Sequence, residues 1–153
     1  MLKNGKHVAL VSDAGTPGIS DPGYALVRDA LSGGFEVSAL PGPSAVITAL
    51  SASWLPSNHF LYLGFLPVKK GRQTLLKKIS EKQEETIVIY ESVHRIEKTL
   101  WDLSNYFWVE KSIVVAREIT KKFENYQRGT IAEIQEYFQK NQDKVKGEFV
   151  IIL

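Results

Sequence analysis

The stretch TIVIYESVHRIEKTLWDLSNYFWVEKSIVVA, residues 86–116, decides the fold class. TIVIY (86–90) is a short run rich in β-branched residues with no polar alternation, as expected of a buried strand. A helix starts near Ser92, because Ile96, Leu100, Leu103 and Phe107 fall on one stripe. SIVVA (112–116) is the next strand. Strand, helix and strand in succession define an α/β unit. The alternation continues on either side. Upstream, FLYLGF (60–65) reads as a strand, and a helix over about 70–82 puts Leu75, Leu76 and Ile79 on one face. Downstream, 124–127 forms a short edge strand, and Thr130 with Glu133 has capping-box spacing ahead of Ile131, Ile134 and Phe138. EFVIIL (148–153) closes the chain as a strand. Fully apolar strands separated by helices predict a mostly parallel sheet.

Residues 1–53 carry a second, smaller set. HVALV (7–11) reads as a strand and runs into SDAGTPGISDPG (12–23), dense in turn-forming residues. Asp21 is expected to cap the following helix, with Pro22 in its first position, YALVRDAL as its body and Gly33-Gly34 as its end. FEVSAL (35–40) is a further strand, and PGPSA (41–45) opens the helix VITALSAS, which stops at Trp54-Leu55-Pro56. The break near 54–58 predicts two domains, 1–53 and 54–153. Two strands make a poor core, so the first domain is expected to be the C-terminal part of an N-terminal α/β domain whose other strands lie upstream.

Composition narrows the function classes. The chain has 153 residues, 44% hydrophobic and 24% charged, which is a globular balance. It has no cysteine, which excludes disulfides, thiolate metal sites and a cysteine nucleophile and fits the cytoplasm. His7, His59 and His94 show no metal-ligand spacing, so no metal is expected. No apolar run is long enough to suggest a membrane span. Net charge is only +2, so nucleic-acid binding would depend on local clusters: Lys69, Lys70 and Arg72; Lys77 and Lys78; Arg117, Lys121 and Lys122. Each cluster alone reads as solvated surface.

Ligands of α/β sheets bind at the C-terminal ends of strands. SDAGTPGISDPG stands at such an end and is long for a plain connection. Its glycines permit close backbone approach, Asp13 can accept hydrogen bonds from an amino or hydroxyl group, and Thr16 and Ser20 add hydroxyls. PGPSA turns into a helix N-terminus, serving either as a cap or as a seat for an anion. Tyr90-Glu91-Ser92 and Ala116-Arg117-Glu118 occupy the equivalent ends in the second half. Arg117 and Glu118 read as a surface ion pair. His94 and Arg95 read either as exposed residues of a first helical turn or as binding residues, the second favoured slightly because an arginine is disfavoured there on dipole grounds. There is no GxGxxG fingerprint, P-loop, HExxH or Ser-His-Asp order.

SDAGTPGISDPGYALV, PGPSA, GFLP (64–67), YESVHR (90–95), VVAREITK (114–121), RGT (128–130) and KGEFVII (146–152) come in an order and spacing that resembles the bacterial 16S rRNA (cytidine-2′-O)-methyltransferase family. That family is similar in fold to the tetrapyrrole methylases. The resemblance implies two α/β domains with S-adenosyl-L-methionine between them, a homodimer, and methyl transfer to a cytidine ribose in the 16S rRNA of the 30S subunit. It implies cofactor contacts from Ser12, Asp13, Gly15, Thr16, Ile19, Ser20, Ser44, Ala45, Tyr90, Ala116, Gly147 and Glu148. His94, Arg95, Arg117, Glu118 and Lys121 would face the RNA. The ribose proton would pass to Glu118, Glu91 or a neutral Lys121, with no choice among them. The family has proline where Val93 stands, and a proline- and glycine-rich segment after its first strand that this chain does not contain; the chain alone is therefore expected to catalyse poorly. A corrinoid methylase and a non-catalytic RNA-binding fragment are the alternatives.

Overall fold

The computed structural model describes residues 1–82 and 84–153. It divides into two compact units, Met1–Ser44 and Ala45–Leu153.

The second unit contains the helices α2 (Ala45–Ser51), α3 (Arg72–Ser80), α4 (Ile96–Tyr106) and α5 (Ile131–Lys140). Its strands are β1 (Phe60–Phe65), β2 (Thr86–Ser92), β3 (Ser112–Arg117), β4 (Asn125–Thr130) and β5 (Glu148–Ile152). The sheet order is β1-β2-β5-β3-β4. Side chains alternate between two cores, as the pleat requires. Ile87, Ile89, Ile113, Val115, Phe149 and Ile151 face one cluster, completed by Leu76 and Ile79 of α3, Ile96, Leu100 and Leu103 of α4, and Ile131, Ile134 and Phe138 of α5. Val88, Val114, Ala116, Val150 and Ile152 face the other, where Val46, Ala49 and Leu50 of α2 cover them. The expected stripes of α3, α4 and α5 therefore form the core. The Thr130–Glu133 capping box is present, with both reciprocal bonds made.

The expected mostly parallel sheet is corrected. Only β1–β2 is parallel; β5 lies antiparallel between β2 and β3, and β4 is antiparallel to β3. An apolar strand reports burial on both faces, and β5 reaches that burial by entering the middle of the sheet in the reverse direction. The edge strand expected at 124–127 is longer than foreseen, at Asn125–Thr130. α2 packs on this sheet, and the division of the chain falls between Ser44 and Ala45, ahead of the 53/54 boundary the sequence suggested.

The first unit holds α1 (Tyr24–Ser32), which has no buried residue. Its N-cap is Gly23, without a side-chain bond, so Asp21 and Pro22 precede the helix rather than starting it. It ends at Gly33, as expected. HVALV and FEVSAL are not strands here. A strand exists through its ladder bonds, and neither run has a strand partner among the described residues. Val8, Leu10, Val11, Val37 and Leu40 are exposed. No helix among the described residues is long and apolar enough to cross a membrane.

Candidate functional site

Within the first unit, the long loop and the PGPS turn form one assembly. The Ser12 hydroxyl donates to the Gly15 carbonyl at 3.2 Å, closing the first bend. The Ile19 amide donates to the Thr16 carbonyl at 3.3 Å, closing the second. Thr16 Oγ1 donates to the Pro43 carbonyl at 2.9 Å, across 27 residues of sequence. A Cβ on Gly42 would stand 3.1 Å from that same hydroxyl, so this approach favours the smallest residue. Ser20 is held at φ 55, an uncommon angle outside glycine. Ser12, Asp13, Gly15, Thr16, Ile19 and Ser20 are thereby fixed in one neighbourhood with the chain leading to Ser44. Asp13 is exposed and its carboxylate has no hydrogen bond among the described residues.

Within the second unit, two groups of expected residues meet at the ends of β2 and β3. Ala45, Tyr90 and Ala116 share the α2 face of the sheet. Tyr90 and Ala116 both register with Val150 on the strand between them. The Tyr62 ring meets Tyr90 edge-on at 5.2 Å, and Phe65 meets it at 5.7 Å. Burial, and then the neighbouring Tyr62, push the Tyr90 phenol up to about 12, so it stays protonated at neutral pH.

The second group centres on Glu118. The Glu118 amide donates to the Glu148 carbonyl at 3.0 Å, and the Glu148 amide donates back to Glu118 Oε1 at 3.0 Å. Lys121 Nζ bridges Glu118 Oε1 at 3.1 Å and Glu148 Oε2 at 2.8 Å. Glu118 and Thr120 both have positive φ, 51° and 64°. Backbone strain of this kind concentrates at functional sites. Gly147 sits at φ 87, and a Cβ there would lie 2.3–2.6 Å from three atoms of the Glu118 side chain, so only glycine fits. The Glu148 amide, and then Lys121, hold the Glu118 carboxyl below its ordinary value. The Glu148 and Glu118 carboxylates in turn raise Lys121, which makes a neutral lysine the least accessible of the three proton acceptors considered.

Arg117 does not form the surface pair with Glu118 that the sequence suggested. Its guanidinium donates to the carbonyls of Lys146 at 3.3 Å and Phe123 at 3.2 Å, bracing the loops on either side of Glu118. Glu91 is buried and engaged on both oxygens. Oε1 accepts from the Ser92 amide and pairs with Arg95 at 2.8 Å; Oε2 accepts from Thr99 at 2.6 Å. Arg95 also donates to the Leu66 carbonyl at 3.1 Å, which accounts for an arginine at the start of α4 without a ligand. His94 beside it is exposed. Arg72, read as part of a basic surface cluster, is buried and paired with Asp102 at 2.6 Å. Tyr62, Thr99 and Asp102 escaped the sequence reading, since their partners are distant in sequence and no local pattern marks them.

These folded units define a class. Residues 1–135 match the model for tetrapyrrole (corrin/porphyrin) methylases, and the chain belongs to that family. Among curated relatives, ribosomal RNA small subunit methyltransferase I of Xylella fastidiosa (strain Temecula1) is 48% identical over 99% of this chain and 56% of its own length. The protein of the same name from Escherichia coli O157:H7 is 46% identical over 99% of this chain and 53% of its own. The chain thus spans about half the length of the curated relatives it matches. Among solved structures, the methyltransferase CobJ superposes with a TM-score of 0.65 at 18% identity, covering 90% of this chain and 60% of CobJ. A uroporphyrin-III C-methyl transferase from Thermus thermophilus, complexed with S-adenyl homocysteine, gives 0.55 at 17% identity, covering 90% of this chain and 62% of its own. At these identities the likeness is one of fold.

Proposed function

We propose that this chain is part of an S-adenosyl-L-methionine-dependent methyltransferase that modifies the 2′-oxygen of a cytidine ribose in 16S rRNA of the small ribosomal subunit. The observation that carries this is identity of 46–48% across 99% of the chain to enzymes named for small-subunit rRNA methylation. The enzyme would act in the cytoplasm as a homodimer. Residues 1–44 would belong to its N-terminal lobe and 45–153 to its C-terminal lobe.

The first-unit loop fits a nucleoside with a sulfonium: it offers an unpartnered carboxylate at Asp13, exposed backbone from Asp13 to Gly15, and a Thr16 hydroxyl fixed by its bond to Pro43. Ser12, Asp13, Gly15, Thr16, Ile19, Ser20 and Ser44 would contact the cofactor there. Ala45, Tyr90, Ala116, Gly147 and Glu148 would likewise be cofactor-binding residues, on the strength of the family motifs that carry them. S-adenosyl-L-methionine supplies a methyl group activated by its positive sulfur. The protein's part is chiefly alignment and acceptance of the ribose proton. Glu118 suits that acceptance better than the other two candidates. It stays ionised, and both of its side-chain bonds fall on Oε1. Glu91 has both oxygens engaged, and Lys121 is held protonated. His94, Arg95, Arg117 and Lys121 would lie on the RNA side.

The test is transfer of labelled methyl from S-adenosyl-L-methionine to undermethylated 30S subunits, by a chain extended to the length of the relatives, followed by nucleoside mass spectrometry. The expected product is 2′-O-methylcytidine. A base-methylated product, or methylation of a precorrin with none of the RNA, would overturn the proposal. Calorimetry with the cofactor on the present chain should show binding at least about tenfold weaker than on the extended one, since part of the pocket wall is expected from the additional residues. Asp13→Ala in the extended chain should weaken the cofactor by about tenfold and leave RNA affinity unchanged; unaltered cofactor affinity would remove this loop from the site.

A further inference from the structure

Residues 118–124 follow β3 as a loop that is closed on itself several times. The Lys121 amide donates to the Glu118 carbonyl at 3.0 Å, and the Glu124 amide donates to the Lys121 carbonyl at 3.1 Å. The Glu124 carboxylate accepts from the Thr120 amide at 2.6 Å. Glu118 and Thr120 carry positive φ inside this loop. Such angles persist only where the surroundings over-determine them. Arg117, the last residue of β3, supplies a further constraint. Its backbone is held on both sides, in register with Asn125 of β4 and Phe149 of β5. The pleat turns its side chain to the face opposite Ala116. Nη2 donates to the Phe123 carbonyl at 3.2 Å and Nη1 to the Lys146 carbonyl at 3.3 Å. One guanidinium thereby ties the far end of the Glu118 loop to the residue just before Gly147.

Both segments that Arg117 grips bear on one carboxylate. The space left by the missing Cβ of Gly147 holds the Glu118 side chain, and the amide of the next residue, Glu148, donates to Glu118 Oε1. A shift at Lys146 displaces both, because the chain runs directly through them. Lys121, the other donor to Oε1, stands on the loop whose Phe123 carbonyl Arg117 holds. The family motif that carries Arg117 places it toward RNA, yet both terminal nitrogens of its guanidinium are committed to the protein's own carbonyls. Spanning two loops at once needs a planar fork, which the single ammonium of a lysine does not offer. We propose that Arg117 is a positioning residue for Glu118: through the Phe123 and Lys146 carbonyls it fixes the two donors that aim the carboxylate at the ribose hydroxyl. The role rests on Glu118 as the proton acceptor proposed above. In that step the methyl group passes from sulfur to O2′, the sulfonium becomes the neutral thioether of S-adenosylhomocysteine, and the O2′ proton passes to the Glu118 carboxylate.

The experiment is a double-mutant cycle on a chain extended to the length of the relatives. It reads the kinetics of methyl transfer to undermethylated 30S subunits and the affinity for them at several salt concentrations. Glu118→Gln should lower kcat by about 100-fold or more. Arg117→Gln and Arg117→Lys should each lower kcat by about 10- to 100-fold, since the lysine keeps the charge and loses the fork. Both should leave KM and the salt slope unchanged. In the Glu118→Gln background either substitution should cost less than about twofold more, because the group it positions is already gone. Glu124→Ala frees the Thr120 amide at an exposed position and should act in the same direction; it carries the test if the Arg117 variants do not fold. Losses that multiply in the double variant would overturn the positioning role, as would wild-type kcat in the single variant. Weaker 30S binding and a salt slope lower by about 1 in Arg117→Gln, restored by Arg117→Lys with kcat intact, would make Arg117 a phosphate ligand instead. Wild-type kcat in Glu118→Gln would remove Glu118 as the acceptor and Arg117's role with it, while leaving ribose methylation standing.

Discussion

At the scale of single residues, the second unit turns on a contact between Gly147 and Glu118. The glycine has a left-handed backbone, and the space a Cβ would need is filled by the carboxylate that Lys121 also holds. Gly147→Ala is therefore expected to cost about 1–3 kcal/mol, read as a lower urea midpoint with an unchanged slope. The same carboxylate gives a pH signature. Its folded value lies below the ordinary 4.5, so its contribution is fully present above 4.5 and is lost as pH falls through the lower folded value. Glu118→Gln should flatten the acid limb of a stability–pH curve below pH 4.5. The limb will not vanish, because Glu133 is lowered in the same direction by the Thr130 amide and hydroxyl. On the alkaline side the sign reverses. The raised Lys121 contributes below 10.5, and that contribution is lost as pH climbs through its higher folded value.

At the scale of elements, helices and strands differ in how far they are determined locally. α5 begins where Thr130 and Glu133 exchange bonds with each other's backbone, a device written in four adjacent positions. Thr130→Ala should destabilise the protein by about 1 kcal/mol, measured by denaturant unfolding. α4 starts at Arg95 with no side-chain cap on its backbone, and its first turn is held by the Glu91–Arg95–Thr99 bonds. Glu91→Gln leaves a half-buried guanidinium without its countercharge and should cost about 3 kcal/mol, more than loss of the α5 cap. Equal costs at the two helix starts would contradict this ranking.

At the scale of the whole molecule, the two units differ in what burial supports them. β2, β3 and β5 are buried on both faces, whereas α1 has no buried residue and the apolar runs 7–11 and 35–40 form no ladder. Amides with few buried contacts open locally, and core amides exchange only on deep unfolding. Native-state hydrogen exchange should therefore show residues 1–44 exchanging more than about 100-fold faster than the central strands. Comparable protection in the two units would mean that the first is stabilised by contacts its burial does not reveal.

The sequence alone determined the helices and strands of the second unit and their core stripes. Hydrophobic period and capping act over a few neighbouring residues, and Ile96, Leu100 and Leu103 lie together on α4 because 3.6 residues make a turn, with Phe107 joining the same core just past the helix end. Family motifs in order were enough to single out the loop after Val11 and the ends of β2 and β3. Strand direction and partnership came only from the tertiary structure. EFVII is apolar whichever way it runs, and its place between β2 and β3 follows from non-local ladder bonds. For the same reason HVALV and FEVSAL read as strands and are not strands here: local propensity prepares an extended chain, but only a paired neighbour makes it a strand. The roles of Arg72, Arg117 and Lys121 were likewise decided by partners 30, 29 and 27 residues away in sequence, at distances no local pattern encodes.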